Sequence, residues 1–491
     1  MESNKKNPNI IFLMADDMGY GDVSFLNEHS KIPTPNMDKL AAKGCVFKDA
    51  HSSSAVCTPS RYSILTGRYC WRTELKEGVI GGYSKPLIEN ERSTVAKILK
   101  EKGYNTGCIG KWHIGLNFFD KAGELTSIEN EIDFSKKVKG GPIDLGFDYA
   151  YYNAGCGTAA PPYGFIENDS FVDENFHYFE SEKSSDFQNN GMMGDSWQSE
   201  DADLIITDKA CEFIKKQNES DAPFFLYLTP NAPHEPCAPE FVPNFAKNKT
   251  EAGSRGDLVW LFDWIVGKIV NVLEKTNELE NTMIIITSDN GALPGDFTLN
   301  KKGERKLQET KRKNFVFEDY GHKSCGFLRG YKAHIWEGGH RIPLLISWPD
   351  HIKESKVVES PVCLSDFYAT CAEIVGSVFS EEKVEDSISF LPYLFPQKNE
   401  KIKLREEIIH HSSFGVFSIR SKEWKMILET KTSGGWPTPR GEKAVPGNDG
   451  QLYNMKNDPE EINDLWEQRQ DIVESLEERF KDYLKFETSF L

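Results

Sequence analysis

Short unbroken apolar runs alternate with amphipathic segments through the first four-fifths of the chain. Ile10 to Met14 is a five-residue apolar run bounded by Pro8 and by Asp16-Asp17, the pattern of a strand buried on both faces. Ser93 to Glu101 has apolar residues at 95, 96, 98 and 99 and is followed by Lys102-Gly103, which predicts a helix with a glycine stop. Asn105 to Ile109, Phe224 to Leu228, Met283 to Ile286 and Pro343 to Trp348 read as further strands. Leu204 to Ile214, Leu258 to Leu273 and Ser365 to Val375 repeat apolar residues at helical spacing. This rhythm predicts an α/β domain with a large mixed, mostly parallel sheet sandwiched by helices. Three polar stretches, 118–142, 164–203 and 293–325, are too long for plain connections and are expected as insertions over the functional face.

The pattern changes after about residue 400. Ile408-Ile409, Gly415 to Ile419, Trp424 to Leu428 and Gln451 to Tyr453 are short strand candidates, and Asp471 to Leu484 is a charged amphipathic stretch. The expected division is therefore residues 1–400 as the large domain and 401–491 as a small antiparallel sheet with a terminal helix.

Composition narrows the class. The chain has 491 residues, 38% hydrophobic and 27% charged, with a formal charge of −18. That apolar content excludes a disordered chain, and the lack of an eighteen-residue apolar run excludes a membrane span. The acidic balance argues against nucleic acid as a partner. Ten cysteines without a Cys-x-x-Cys pair give neither a disulfide framework nor a zinc-cluster motif. Met1 to Pro8 is polar and carries no secretory pattern. The expected compartment is the cytoplasm if these residues begin the native chain, and the periplasm or exterior if a leader precedes them.

Reactive residues collect just beyond the predicted strands. Asp16 and Asp17 follow the first, Lys111 and His113 the second, His234 the third, and Asp289 and Asn290 the fourth. In open α/β sheets ligands bind outside the carboxyl ends of strands, so four segments would deliver polar groups to one edge. Taken singly, Asp-Asp and Asp-Asn-Gly are ordinary turn or cap residues, and a lone His or Lys is ordinary surface. Together, Asp16, Asp17, Asp289 and Asn290 are all oxygen donors, which hard divalent cations favour. Three carboxylates at one edge would repel each other without a cation. Cys57-Thr58-Pro59-Ser60-Arg61, continued by Leu65-Thr66-Gly67-Arg68, is the most specific signal. Pro59 suits the first turn of a helix, which would set Cys57 at the positive end of the helix dipole. Read alone, Cys57 is an inert helix-capping residue or a low-pKa thiol nucleophile.

At this motif the chain resembles the type I sulfatases of the alkaline-phosphatase-like superfamily. The resemblance continues through Asn9 to Asp22, Thr34 to Asp38, Gly110 to Gly115, Ala232-Pro233-His234, Thr287 to Gly291 and Gly330 to Gly339. It implies oxidation of Cys57 to formylglycine by a separate maturation enzyme. It also implies Ca²⁺, in preference to Mg²⁺, held by Asp16, Asp17, Cys57, Asp289 and Asn290. Arg61 would stabilise the formylglycine hydrate, and Lys111, His113, His234 and Lys332 would surround the sulfate. A hydrated aldehyde suits the task because one hydroxyl attacks sulfur and the other collapses to expel sulfate. By the same analogy His234 protonates the departing oxygen and His113 is the base.

The segments Gly81 to Ser84, Ala160 to Tyr163, Ile335 to Arg341 and Gly434 to Arg440 are similar to bacterial glycan sulfatases acting at O6 of galactose or N-acetylgalactosamine. The expected substrate is a sulfated carbohydrate, attacked at a terminal sugar. Tyr163, Trp336, His340, Arg341, Trp436 and Arg440 are the candidate sugar contacts. Each aromatic among them can instead pack the two domains together. The competing readings are an arylsulfatase or a glycan sulfatase of another position, a phosphate or phosphonate monoester hydrolase, and a non-catalytic sulfated-glycan binder.

Overall fold

The structure is a computed structural model, and it describes residues 7–180, 188–299, 315–378, 384–395, 404–436 and 450–485. Ten strands form the main sheet: β1 (Asn9–Ala15), β2 (Cys45–Phe47), β3 (Asn105–Lys111), β4 (Tyr149–Asn153), β5 (Ile166–Glu167), β6 (Ser170–Phe171), β7 (Phe224–Thr229), β8 (Thr282–Ser288), β9 (Leu344–Ser347) and β10 (Lys356–Val358). Their order is β10-β2-β9-β8-β1-β7-β3-β4-β5-β6. The central five, β8-β1-β7-β3-β4, are parallel. Antiparallel pairing enters at β8–β9 and β9–β2 on one side and at β4–β5 and β5–β6 on the other. The mixed, mostly parallel sheet expected from the chain pattern is the sheet observed.

The central strands are buried on both faces, so alternate side chains feed two separate cores. Ile10, Phe12 and Met14 of β1 join a core with Tyr62 and Leu65 of α1 (Cys57–Thr66), Val95 and Leu99 of α2 (Val95–Glu101) and Phe367 and Cys371. Ile11, Leu13 and Ala15 face the other way, toward Ile206 and Ile214 of α3 (Ala202–Gln217) and Phe262, Ile265 and Ile269 of α4 (Gly253–Lys275). Phe367 and Cys371 belong to α5 (Asp366–Ile374). The helix at Cys57 ends where Gly67 turns left-handed at φ 67°, a conformation glycine adopts without a Cβ clash.

A second sheet follows, with β11 (Glu407–His411), β12 (Phe417–Ser421), β13 (Trp424–Ile427) and β14 (Gln451–Asn454) antiparallel in chain order. The closing helix α6 (Gln470–Lys485) presents Val473, Leu476, Phe480 and Tyr483 to this sheet. Their three-, four- and three-residue spacing makes one apolar stripe on an otherwise charged helix. Tyr69 and Trp71 from the large unit enter the same core, and Trp336 Nε1 donates to Gln451 Oε1 at 2.9 Å.

Candidate active site

The carboxyl ends of the central strands meet at one place. Ala15 pairs with Ser288 and Gly110 with Thr229, so the residues beyond β1, β8, β7 and β3 emerge side by side. Asp16, Asp17, Lys111, His113, His234, Asp289 and Asn290 all converge there, and all are buried. Two of them, Asp17 at φ 71° and His113 at φ 56°, hold the left-handed conformation without being glycine. Such strain persists where the surroundings over-determine it, and it aims both side chains into the cleft. The helix α1 brings Cys57 and Arg61 to the same point, four residues apart and hence on one face.

Three cations lie against three carboxylates. Arg61 Nε and Nη2 reach Asp289 Oδ2 at 2.9 and 2.8 Å, and Nη2 lies 3.6 Å from Asp16 Oδ1. Arg61 Nη1 also donates to the Lys111 carbonyl at 2.9 Å, which ties the helix to the β3 end. Lys111 Nζ pairs with Asp16, and Lys332 Nζ with Asp17 at 2.6 Å. Asn290 Nδ2 donates to Asp17 Oδ1 at 2.7 Å. Burial opposes ionisation of Asp16, yet the Lys111 ammonium holds its carboxyl well below the usual range. Burial, with Asp16 alongside, pushes Asp289 well above it.

The two histidines differ. Burial lowers His113, whose Nε2 lies 2.8 Å from the Ile80 carbonyl. Burial also opposes charging of His234, but the Asp16 carboxylate lifts it well above its ordinary value. His234 Nδ1 contacts the Glu235 carbonyl at 2.8 Å and its Nε2 lies 3.8 Å from Asp17 Oδ2. Burial thus favours the neutral form of His113, and the Asp16 carboxylate favours the protonated form of His234.

A metal ion is a reasonable tenant. Asp16 Oδ1 and Asn290 Oδ1 are buried and accept no hydrogen bond, a costly state for an acceptor oxygen. Asp16, Asp17, Cys57 and His234 each bring a ligand atom within 4.8 Å of the others. The oxygen-rich donor set fits a hard divalent cation.

The sulfatase family model matches residues 8–377. The chain belongs to the sulfatase family. It is 32% identical to the N-acetylgalactosamine-6-O-sulfatase of Bacteroides thetaiotaomicron, across 97% of this chain and 93% of that one. A solved sulfatase structure, from work on glycosaminoglycan metabolism by the same bacterium, superposes with a TM-score of 0.81 at 29% identity, covering 97% of this chain and 99% of that one. A crystal structure of a relative in complex with a neocarrahexaose gives a TM-score of 0.65 at 26% identity, with 97% and 93% coverage. This sulfatase is accordingly a sulfuric ester hydrolase with the alkaline-phosphatase-like fold of its family. No helix among its described residues is long and apolar enough to cross a membrane.

The candidate sugar contacts of this sulfatase are not gathered in the same way. Tyr163 is sealed in the core, its single hydroxyl proton shared between the Asn189 carbonyl at 2.8 Å and the Ala159 carbonyl at 3.0 Å. Trp336 is buried beneath the Arg329 guanidinium and bonded to Gln451, so it packs the two sheets together. His340 is wholly buried in the same seam, and Arg341 pairs with Asp49 and Glu337. Trp436 is 41% exposed, with its carbonyl 2.9 Å from His334 Nε2. Arg440 lies outside the described residues.

Three supporting residues carried no sequence signal. Cys156 Sγ lies 3.6 Å from His113 Nδ1 and 3.8 Å from His234 Nε2, making a half-buried thiol wall between the rings. Asp203 accepts from the Asn231 and Ala232 amides at 2.7 and 2.8 Å and so fixes the turn that carries His234. Arg255 donates to the Asp17 carbonyl at 2.9 Å and to Asp22 Oδ2 at 2.6 Å, bracing the loop after β1.

Proposed function

We propose that this sulfatase removes sulfate from a sulfated carbohydrate, acting at O6 of a terminal galactose or N-acetylgalactosamine. The reading rests on one observation above all: Cys57, Arg61, two lysines, two histidines and an oxygen-rich donor set share one buried cleft at the strand ends. The similarity to an N-acetylgalactosamine-6-O-sulfatase over nearly the whole chain supports the choice of sugar and position.

Asp16, Asp17, Asp289 and Asn290, with position 57, would hold a calcium ion, which the two unpartnered oxygens favour. Formylglycine at position 57, installed by a maturation enzyme, would supply a hydrated aldehyde oxygen as nucleophile, with the cation favouring its anionic form. Arg61, anchored on Asp289 and the Lys111 carbonyl, is rigid enough to orient that group. Lys111 and Lys332 are positioned to share their charge between the carboxylates and the sulfate oxygens. His234, held protonated by Asp16, suits the proton donor to the departing sugar oxygen. His113, held neutral, suits the base. Residues 1–400 would form the catalytic domain and 401–491 a C-terminal accessory one.

Sulfate release from a panel of sulfated mono- and disaccharides tests the assignment, with aryl sulfate and aryl phosphate alongside. Fastest turnover of 6-sulfated galactose or N-acetylgalactosamine ends is expected. Turnover of aryl sulfates only, of internal polymer sites only, or of phosphate in preference to sulfate would reject it.

A further inference from the structure

Away from the cleft, His51, His340 and His410 meet in the seam between the two sheets, and all three are buried. His51 lies just after β2, His340 ends the short helix Glu337–His340, and His410 belongs to β11. One ring nitrogen from each lies within 4.8 Å of the others. We propose that these three histidines form a second metal site, for a borderline transition cation of the zinc class, that ties the small sheet to the large one.

Hydrogen-bond accounting carries the argument. His51 Nε2 lies 2.9 Å from Asp49 Oδ1, and a carboxylate can only accept, so the proton sits on Nε2. His340 Nε2 lies 3.0 Å from the Ile335 carbonyl, which likewise demands an N–H there. The Nδ1 atoms of both rings then carry lone pairs, and they face each other at 3.1 Å. His410 directs Nδ1 at Ser418 Oγ, 3.3 Å away, and its Nε2 is buried with no partner. With the Ile335 carbonyl setting the His340 tautomer, one lone pair from each of the three rings is left without a protein donor. A cation bound through bonds of about 2.0–2.1 Å in tetrahedral geometry sets ligand nitrogens about 3.3 Å apart, close to the spacing of the His51 and His340 pair.

The outer contacts match what ligand histidines use. Each ring's other nitrogen meets a carboxylate, a carbonyl or a hydroxyl, the partners that fix tautomer and raise basicity. The His340 and His410 rings stack at 3.8 Å, so closure on an ion requires one of them to turn about its soft χ2 torsion. The rival arrangement is a proton relay. Lys425 Nζ lies 3.1 Å from His340 Nε2 and, if it donated there, would drive the tautomers round to His51 and Asp49 with no ion. Lys425 spends two of its three ammonium protons on Glu337 at 3.0 Å and Glu461 at 2.8 Å, and the third competes with the Ile335 carbonyl for His340 Nε2, so metal content decides between ion and relay.

The test uses the full matured chain, equilibrated with zinc chloride in calcium-containing buffer, dialysed, and assayed for metal by mass spectrometry. About one zinc per chain is expected in the parent and in Asp16→Asn, falling at least about tenfold in His51→Gln and His410→Gln. A parent without zinc, or zinc lost in Asp16→Asn and kept in the histidine variants, overturns the site. A cobalt titration of Cys57→Ser covers variants that fail to fold. A visible band of tetrahedral, nitrogen-ligated cobalt that zinc bleaches supports the site, and no band means the relay is correct.

Discussion

At the strand ends, Lys111 sits on Asp16, Lys332 on Asp17 and Arg61 on Asp289, in a cleft where two acceptor oxygens still lack a donor. In the seam, Lys425 lies between Glu337 and Glu461, Arg341 and Arg420 meet Asp49, and histidines fill the remaining space. Both regions bury opposed charges, yet they handle protons differently. Burial and neighbouring cations keep the seam histidines His340 and His410 well below the ordinary histidine range, whereas Asp16 lifts His234 well above it in the cleft. The difference follows from which charge lies closest to the ring. A carboxylate beside a histidine stores a proton for later donation, and a lysine beside one expels it. The cleft is arranged for chemistry and the seam for cohesion.

That contrast can be broken most sharply at position 57. Cys57→Ala should lower kcat by at least about 10⁴-fold with little change in melting temperature, read by sulfate release and calorimetry. A melting temperature that fell with the activity would assign Cys57 to the framework instead.

His234→Ala should come next, at about 10²–10⁴-fold in kcat, with a larger loss for sugar sulfates than for aryl sulfates. The distinction arises because a phenolate leaves without a proton more readily than an alkoxide. An equal loss on both substrates would remove His234 from the acid role.

Acid should act on the other region. Burial lowers His334 and His411, near and within the small sheet, to about 4. A folded pKa below the unfolded value of 6.5 means that the unfolded chain binds more protons between pH 6.5 and 4. Stability is thus complete above pH 6.5 and lost as pH falls through 4, by on the order of 3 kcal/mol for each histidine. Denaturant unfolding at pH 7 and pH 4.5 measures it. His334→Gln and His411→Gln should flatten the dependence.

Metal removal should have a smaller effect. Calcium at about a hundred times its dissociation constant should stabilise the native chain by about 2.7 kcal/mol, and Asp289→Asn should abolish the shift. The smallest effect is expected at the inter-sheet hydrogen bond. Trp336→Phe should cost about 1 kcal/mol and leave kcat intact. A change in KM for sugar substrates would restore Trp336 to the pocket.

The parts legible in the sequence are those written locally. β1, β7 and β8 are continuous apolar runs because both faces are buried, and each extends at most one or two residues beyond its run. The cleft was legible because its residues sit directly after those strands. β5, β6 and β10 are two or three residues long and take their identity from neighbours in the sheet, so no run announces them, and the apolar runs of β2 and β4 are only three and four residues long. Asp203, Arg255 and Cys156 reach the site only through tertiary contact, and nothing near them in sequence marks it. Tyr163, Trp336 and His340 show the converse. Their residue types suit sugar binding, but burial, which sequence type alone does not report, turns them inward.

The central claim is that position 57 works as an oxygen nucleophile. The mass of the peptide containing it, taken from a preparation of measured sulfatase activity, tests this most directly. The account predicts a peptide lighter than the cysteine form by about 18 Da, in proportion to activity across preparations. Full activity with Cys57 retained as a thiol would contradict it.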